Sequence, residues 1–461
     1  MDNHNTSLSK SVTSIKRDNN KVNRKRSFSL NEKQLGYLMI LPSIILIIAV
    51  IIWPITVSFW NSMFDYQLND PTRSEKMLSA HIDLERYADN YFLVNNSMKN
   101  LQSFDETGLQ KETFSDLIAG LDSFHQQLLA DTEIEQKYQM VEEMLINFEP
   151  VNDDELRYSS IDNDFALTYK NYIQETLNIL SRVEASSTDM ANAIKTVKEQ
   201  LTTLESSILQ SNFIGFEHYI NYLFDGRMWS SLSLTSMFTV ISVLLELVFG
   251  LIIALIINRV FHGRGLVRVS VLIPWAIPTA VAAMMWRFLY DGQSGIIAYY
   301  LERIGLIADT GYLLSTSAGG VISIILADVW KTTPYMALLL LAGLQTIPGQ
   351  LYEAAQVDGA NRFNQFFKIT LPMLKSTILV AVLFRTLDAF RVFDLIYVLT
   401  GGGPANSTES ISVYAYKTFF SQQNFGAGSA LSIIVFLCIV LISVLFIRFI
   451  GSDLFEKKAN R

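Results

Sequence analysis

Four ionisable side chains, Arg385, Asp388, Arg391 and Asp394, recur every third residue in an otherwise apolar stretch, 377–399. Side chains three apart meet along a helix. An ion at the centre of a bilayer costs about 2.5–3.5 kcal/mol on insertion scales, so four facing lipid would cost roughly 10–14 kcal/mol. They must pair, face a protein interior or line a wet cavity. Two chemistries fit. One is a self-neutralised ladder that holds helices together. The other is recognition of a polyol, because carboxylates accept and guanidiniums donate in fixed directions that suit hydroxyl groups. Asp328 and Lys331 fall in a second apolar stretch, 320–344, and Glu246 in a third, 230–257. A lone acid such as Glu246 suits a helix–helix hydrogen bond better than contact with a substrate.

A second constellation is Glu353-Ala354-Ala355-Gln356-Val357-Asp358-Gly359-Ala360, continuing to Phe367-Lys368-Ile369-Thr370-Leu371-Pro372-Met373-Leu374. Pro348 can open a short helix. Ala354 and Ala355 give that helix a thin face that another protein can approach closely. Gly359 supplies a left-handed stop. An amphipathic helix with Phe363, Phe366 and Phe367 follows, and Pro372 is expected to break the chain before the next span. Residues 348–372 therefore read as a helix–turn–helix at a membrane surface, suited to mechanical coupling with a partner. Composition alone fits a plain surface loop equally well.

The elements that carry these residues follow from composition. The chain has 461 residues, 50% hydrophobic and only 17% charged, where soluble domains carry about 25% charge. Its mean hydropathy is +0.26. That balance argues against a simple soluble enzyme. Residues 34–64 carry no charge, and about 20 apolar residues cross a bilayer. This stretch is too long for a signal-peptide core and has no small-residue cleavage site, so it should stay as an anchor. Five further spans are expected at 230–257, 269–286, 320–344, 377–399 and 427–447. The single Cys438 forbids an intrachain disulfide and a cysteine metal cluster. No basic, aromatic-rich face points to nucleic acid.

Charge bias sets an expected orientation. Residues 1–33 hold eight Lys and Arg against three acids and read as a disordered cytoplasmic tail. That places Arg259, His262, Arg264, Arg268, Arg362, Lys368 and Lys375 inside, together with the tail 451–461, in agreement with the positive-inside rule. It places residues 65–215 outside. This block has a formal charge of −16, which leaves +8 on the remainder. Met190, Ile194, Val197, Leu201, Leu204 and Ile208 form a heptad-like stripe within it, continued upstream by Tyr172, Thr176, Leu180 and Val183. Met140, Val141, Met144, Leu145 and Phe148 form another apolar face. An extracellular helical bundle is expected, serving either as a spacer or as a docking surface. His81 and His125 stand isolated, with no metal or catalytic constellation around them.

The motif at 353–374 resembles the EAA loop in the membrane subunits of ATP-binding-cassette importers: Glu-Ala-Ala, two residues, Asp-Gly-Ala, then Ile-x-Leu-Pro. Other segments are similar to the carbohydrate-uptake branch that contains maltose and trehalose permeases. They are Phe216-Glu217-His218-Tyr219, His262-Gly263-Arg264-Gly265, Pro274-Trp275-Ala276-Ile277-Pro278, Trp330 with Pro334-Tyr335, and Leu399-Thr400-Gly401-Gly402-Gly403-Pro404. The resemblance covers about residues 30–64 and 213–450 and leaves the acidic block uncovered. It implies an all-α membrane protein with the six transmembrane helices of the type I importer permease fold, here carrying the extracellular insertion.

The resemblance also implies a division of labour in a bacterial plasma membrane. A second permease subunit pairs with this chain, and the family usually pairs two different ones. Two ATPase subunits each receive one EAA loop, and an extracellular binding protein delivers the sugar. Glu353, Ala354, Ala355, Asp358, Gly359 and Ala360 would engage the ATPase, with Glu353 placed to pair with a basic residue there. ATP and magnesium would sit on those partners, and this chain, which has no Gly-x-x-x-x-Gly-Lys-Ser/Thr loop, would hold no cofactor and catalyse no reaction. Family pocket positions carry over onto Lys331, Thr332, Tyr335, Arg385, Asp388, Ala389 and Val392. The expected cargo is a di- or oligosaccharide of the maltose, trehalose or α-glucoside kind, moved by alternating access. Rival readings are an importer of another polar solute such as glycerol phosphate, a membrane sensor whose layout residues 34–257 would fit, and a scaffold subunit.

Overall fold

A computed structural model describes residues 31–104, 111–185 and 187–459. The basic tail, apart from residues 31–33, lies outside them, as do Asn460 and Arg461. The chain divides into two units, Met1–Ile55 and Thr56–Arg461.

The described part of the first unit is helical from Glu32, with a π-helical turn at Ile48–Ile52. A span-length apolar helix, Leu35–Asn61, begins in this unit. Proline explains the π turn. Pro54 has no N–H to give and its ring crowds the carbonyl one turn earlier, so the preceding turn widens rather than breaks. The same offset recurs at Phe366–Thr370, followed by Pro372. Pro372 therefore does not separate a surface helix from the next span, as expected above. Residues Arg362–Phe390 form one membrane-length helix with a widened turn inside it.

In the second unit the acidic block folds around five helices of 15 to 20 residues: Leu84–Ser103, Lys111–Leu128, Thr132–Ile146, Asn163–Arg182 and Thr188–Glu205. Met190, Ile194, Val197, Leu201 and Leu204 are buried in one hydrophobic core with Tyr169, Ile173 and Leu180. The all-helical expectation missed a small antiparallel sheet in this block. Strands β1 (His81–Asp83), β2 (Tyr158–Ser160) and β3 (Ile208–Leu209) lie in the order β2-β1-β3, with Ile82 opposite Ser159 and Ile208. Ile208 thus sits in a strand and Val183 at the end of its helix, yet both still pack on the same core as the stripe. Phe148 is 96% exposed, because its left-handed backbone (φ +57°) turns it off the apolar face. Two-residue periodicity cannot register in strands this short.

Asp83 links sheet and helices. Buried, it caps the Leu84–Ser103 helix by accepting from the Arg86 N–H at 3.1 Å, and it receives the Arg157 fork at 3.2 and 2.9 Å. The base of the block is closed by Asn212. Its amide donates to the Asp65 and Glu75 carbonyls at 3.1 and 2.7 Å and accepts from the Met77 N–H at 2.9 Å. The base also docks on the start of the last span, through Leu68 N–H to the Gln423 carbonyl and Gly426 N–H to the Tyr66 carbonyl, both at 3.0 Å.

The membrane core contains the helices Gly226–Asn258, Ser317–Gln345, Arg362–Phe390 and Phe425–Arg448, each long and apolar enough to span. The Ser317–Gln345 helix is central: 72% of its apolar window is buried, against 17–33% in the other three. It packs along the Gly226–Asn258 helix. Gly250 permits that approach, since a Cβ there would sit 2.8 Å from Met336 Cγ. Two sequence expectations change. The stretch 269–286 is a pair of helices, Arg264–Ala276 and Thr279–Leu289, bent by 89° where Pro278 ends the ladder of N–H donors. The stretch 377–399 breaks after Phe390 and restarts at Asp394. The Val392 carbonyl freed by this break accepts from the Ser410 hydroxyl at 3.0 Å.

Candidate substrate cavity and coupling elbow

Three helices bring their ionisable residues to one point. Glu246 comes from Gly226–Asn258, Asp328 and Thr332 from Ser317–Gln345, and Arg385 from Leu371–Phe390. Arg385 Nε donates to Glu246 Oε2 at 2.5 Å and Nη2 to Oε1 at 3.0 Å, a two-pronged fork. Nη2 also donates to Asp328 Oδ2, and Nη1 to Asp388 Oδ2 at 3.1 Å. These bonds use four of the five guanidinium N–H groups. The Thr332 hydroxyl sits 2.7 Å from Glu246 Oε1 and 2.6 Å from the Asp328 carbonyl. Glu246 is therefore not a lone acid: it is one arm of a buried, hydrogen-bonded ionic hub.

The charge ladder splits at this hub. Arg385 is 2% exposed and turned into the protein, whereas the Asp388 and Arg391 side chains are 55% and 68% exposed and meet at 3.2 Å. Asp394 leaves the ladder because the helix has ended before it, and it opens the next helix without an ion pair among the described residues. Burial of charge is tolerated when the ions are paired and hydrogen-bonded, and Arg385, Glu246 and Asp328 are each paired here.

Beside the hub opens a cavity of about 240 Å³. Of the seven positions carried over from the family pocket, Lys331, Thr332, Arg385, Asp388 and Val392 line it. Ala389 does not: it is buried in the hydrophobic core. Tyr335 is also absent from the wall but stacks on Trp275, which is part of it, at 5.7 Å between ring centroids. Asp328, Arg391, Asp394, Trp275, Thr279, Phe393 and Leu395 complete the lining; Arg391 and Asp394 belong to the charge ladder read above, and the other five were not read as site residues. The signal for two of them was present, since Trp275 sits in the Pro274–Pro278 run and Asp328 lies one helical turn before Thr332. Lys331 is buried and has no ion pair among the described residues. The ionisable wall holds three cations and three carboxylates, so it offers donors and acceptors in balance beside two aromatic rings.

The elbow forms as its residues dictate. Pro348 caps the helix Gly349–Val357. Gly359 adopts φ +79°, the Ala360 N–H bonds the Ala355 carbonyl at 2.8 Å, and the Gly359 N–H bonds the Gln356 carbonyl at 3.0 Å. That pair of bonds is a Schellman stop. Asn361 then caps the next helix by accepting from the Asn364 N–H at 2.8 Å. Glu353, Ala354, Asp358 and Gly359 are exposed, while Ala355 and Ala360 are half-buried. Val357 and Phe363 are left bare at the corner. The Tyr352 hydroxyl meets Thr370 Oγ1 at 3.0 Å and ties the two arms together.

Comparison with known proteins finds a family. Residues 246–458 match the family model described as binding-protein-dependent transport system inner membrane component. The chain is 44% identical over 241 residues to the trehalose/maltose transport system permease protein MalF of Thermococcus litoralis, covering 52% of this chain and 81% of that protein. It is 44% identical over 240 residues to the trehalose transport system permease protein SugA of Mycobacterium tuberculosis, covering 52% of this chain and 76% of the relative. A solved bacterial ABC transporter involved in the import of the acidic polysaccharide alginate is similar at 24% identity and a TM-score of 0.48, covering 52% of this chain and 84% of that one. The relatives are permease proteins rather than enzymes. With an exposed elbow, a packed helical core and these relatives, the chain belongs to the family of binding-protein-dependent transport system inner membrane components.

Proposed function

We propose that the chain is the permease subunit of an ATP-driven importer for a neutral di- or oligosaccharide of the trehalose or maltose kind, working by alternating access. The observation that carries this reading is the cavity at 385–395, with balanced charge and two aromatic rings, in a chain 44% identical to a trehalose/maltose permease. Balanced carboxylates and cations hydrogen-bond hydroxyls without drawing a net anion, which favours a sugar over glycerol phosphate. Ligand pockets measure about 300–1,000 Å³. A cavity of about 240 Å³ falls below that range, which supports a path completed by a second permease subunit.

In this reading the N- and C-termini and the elbow face the cytoplasm, and the acidic block faces outward to a sugar-binding protein. Each of two ATPase subunits, carrying ATP and magnesium, grips one elbow. Glu353 pairs with a basic ATPase residue, Ala354 and Ala355 allow close approach, and closure of the ATPases is transmitted through the stiff Schellman corner to the spans. The test is uptake of labelled trehalose and maltose into vesicles by the reconstituted complex. Wild type should accumulate sugar with ATP, and Glu353→Lys should insert and assemble but lose uptake. Normal uptake by Glu353→Lys removes that residue from the mechanism.

A further inference from the structure

A second polar cavity, of about 430 Å³, lies between the elbow and the end of the Gly226–Asn258 helix, and it has no part in the function proposed above. Arg259 and Arg362 stand in its wall. Both are exposed, and neither side chain makes an ion pair or hydrogen bond among the described residues. No carboxylate lines the cavity. Tyr352 and Thr370 bring hydroxyl groups to its wall, and Leu255 and Phe366 make part of that wall apolar.

Two guanidinium groups without a counterion call for an anion. Each presents planar, paired N–H groups that match the oxygens of a phosphate, and the Tyr352–Thr370 hydroxyl pair can turn one O–H toward it by giving up a present bond. The apolar wall at the end of a membrane-length helix suits an anion that carries acyl chains. Basic pockets between spans recognise lipid headgroups in this way. We propose that this cavity is a binding site for a phosphate-bearing ligand, with an anionic phospholipid as its source. The bound phosphate would join Arg259, after the second span, to Arg362 on the far arm of the elbow, with Tyr352 of the near arm beside it, and so brace the lever against the membrane. The proposal rests on the elbow lying at a membrane face and is independent of which solute is carried.

The test uses the full complex with its partner subunits, purified in detergent and titrated with phosphatidylglycerol, phosphatidylcholine and inorganic phosphate, with bound ligand counted by native mass spectrometry. Wild type should bind phosphatidylglycerol at a concentration about thirtyfold below that for phosphatidylcholine, since each of the two arginines contributes about a fivefold preference. The Arg259→Gln/Arg362→Gln double variant should lose that preference, and the Arg259→Lys/Arg362→Lys pair should keep part of it. Displacement of the lipid by inorganic phosphate would support the site with a soluble source, and resistance to displacement would support the lipid. Equal preference in wild type and the Gln variant overturns the proposal. Loss of the ATPase subunits from the Gln variant also overturns it, since the arginines would then serve that partner. Sugar uptake is scored separately, so its failure does not bear on lipid binding.

Discussion

Arg385 forks onto Glu246 from a helix 139 residues further along the chain, and this one contact joins the last ladder-bearing span to the span that follows the acidic block. Asp328 closes the hub from the central helix. Removing one carboxylate leaves a buried guanidinium underpaired, which costs about 3–5 kcal/mol. Glu246→Ala should therefore lower the thermal unfolding midpoint of the purified complex clearly. Glu246→Gln should lose less, because it keeps the Thr332 contact and one guanidinium bond. An unchanged midpoint for the Ala variant would mean that Asp328 alone holds Arg385.

Asp388 separates substrate handling from architecture. Its carboxylate touches the hub on one side and Arg391 on the other, yet it is half open to the cavity. A hydrogen bond to a charged group contributes about 1.5–3 kcal/mol. Asp388→Ala should raise the uptake KM by about tenfold or more while the ATPase still co-purifies. Failure of assembly instead would make the ladder structural.

Gly359 tests the backbone of the elbow without disturbing any packing within this chain. Nothing lies within 4 Å of a Cβ built there, and its φ is +79°, so any penalty is backbone strain of about 1–2 kcal/mol for an ordinary residue. Asparagine tolerates this conformation better than a β-branched residue does. Gly359→Asn should keep sugar-stimulated ATP hydrolysis and Gly359→Val should reduce it. Equal rates would show that the corner need not be stiff.

The acidic block carries a pH dependence at His125. Its ring stacks 4.0 Å from Tyr91 and lies 3.2 Å from the Tyr87 hydroxyl, with Tyr138 and Asp122 also facing it. Burial lowers its pKa below the usual 6.5, against the opposing pull of Asp122. The unfolded state therefore takes up the proton first. This contribution to stability is fully present above about pH 6.5 and is lost as pH falls through the depressed folded value. Amide exchange in the Leu84–Ser103 helix should accelerate relative to the membrane core between pH 7.5 and 5.5, and His125→Phe should flatten that difference. An identical pH response in the variant would assign it to other groups.

The sequence made some of this legible and hid the rest for physical reasons. The first arm of the elbow and its stop could be read residue by residue, because helix opening and the left-handed glycine are local properties of Pro348 and Gly359, whereas the Asn361 cap was passed over. The ladder showed that charges in 377–399 must find partners, but not that Arg385 would turn away from it toward Glu246 and Asp328, since those contacts are 139 and 57 residues distant. Pro372 misled because proline normally ends helices, and a π turn absorbs it here. The sheet escaped because its strands are two or three residues long and are set by what Asn212 and Asp83 tie together. Ala389 was assigned to the cavity by position in a motif, and its helix turns it into the core.

The central claim is that the exposed corner at 353–360 is where an ATPase pushes. The most direct measurement is cross-linking from Ala354→Cys in a Cys438→Ser background, with the complex taken through ATP binding and hydrolysis in membranes. The account predicts an efficient cross-link to an ATPase subunit whose yield changes with the nucleotide state. A cross-link confined to the binding protein, or none to any ATPase in any nucleotide state, would contradict it.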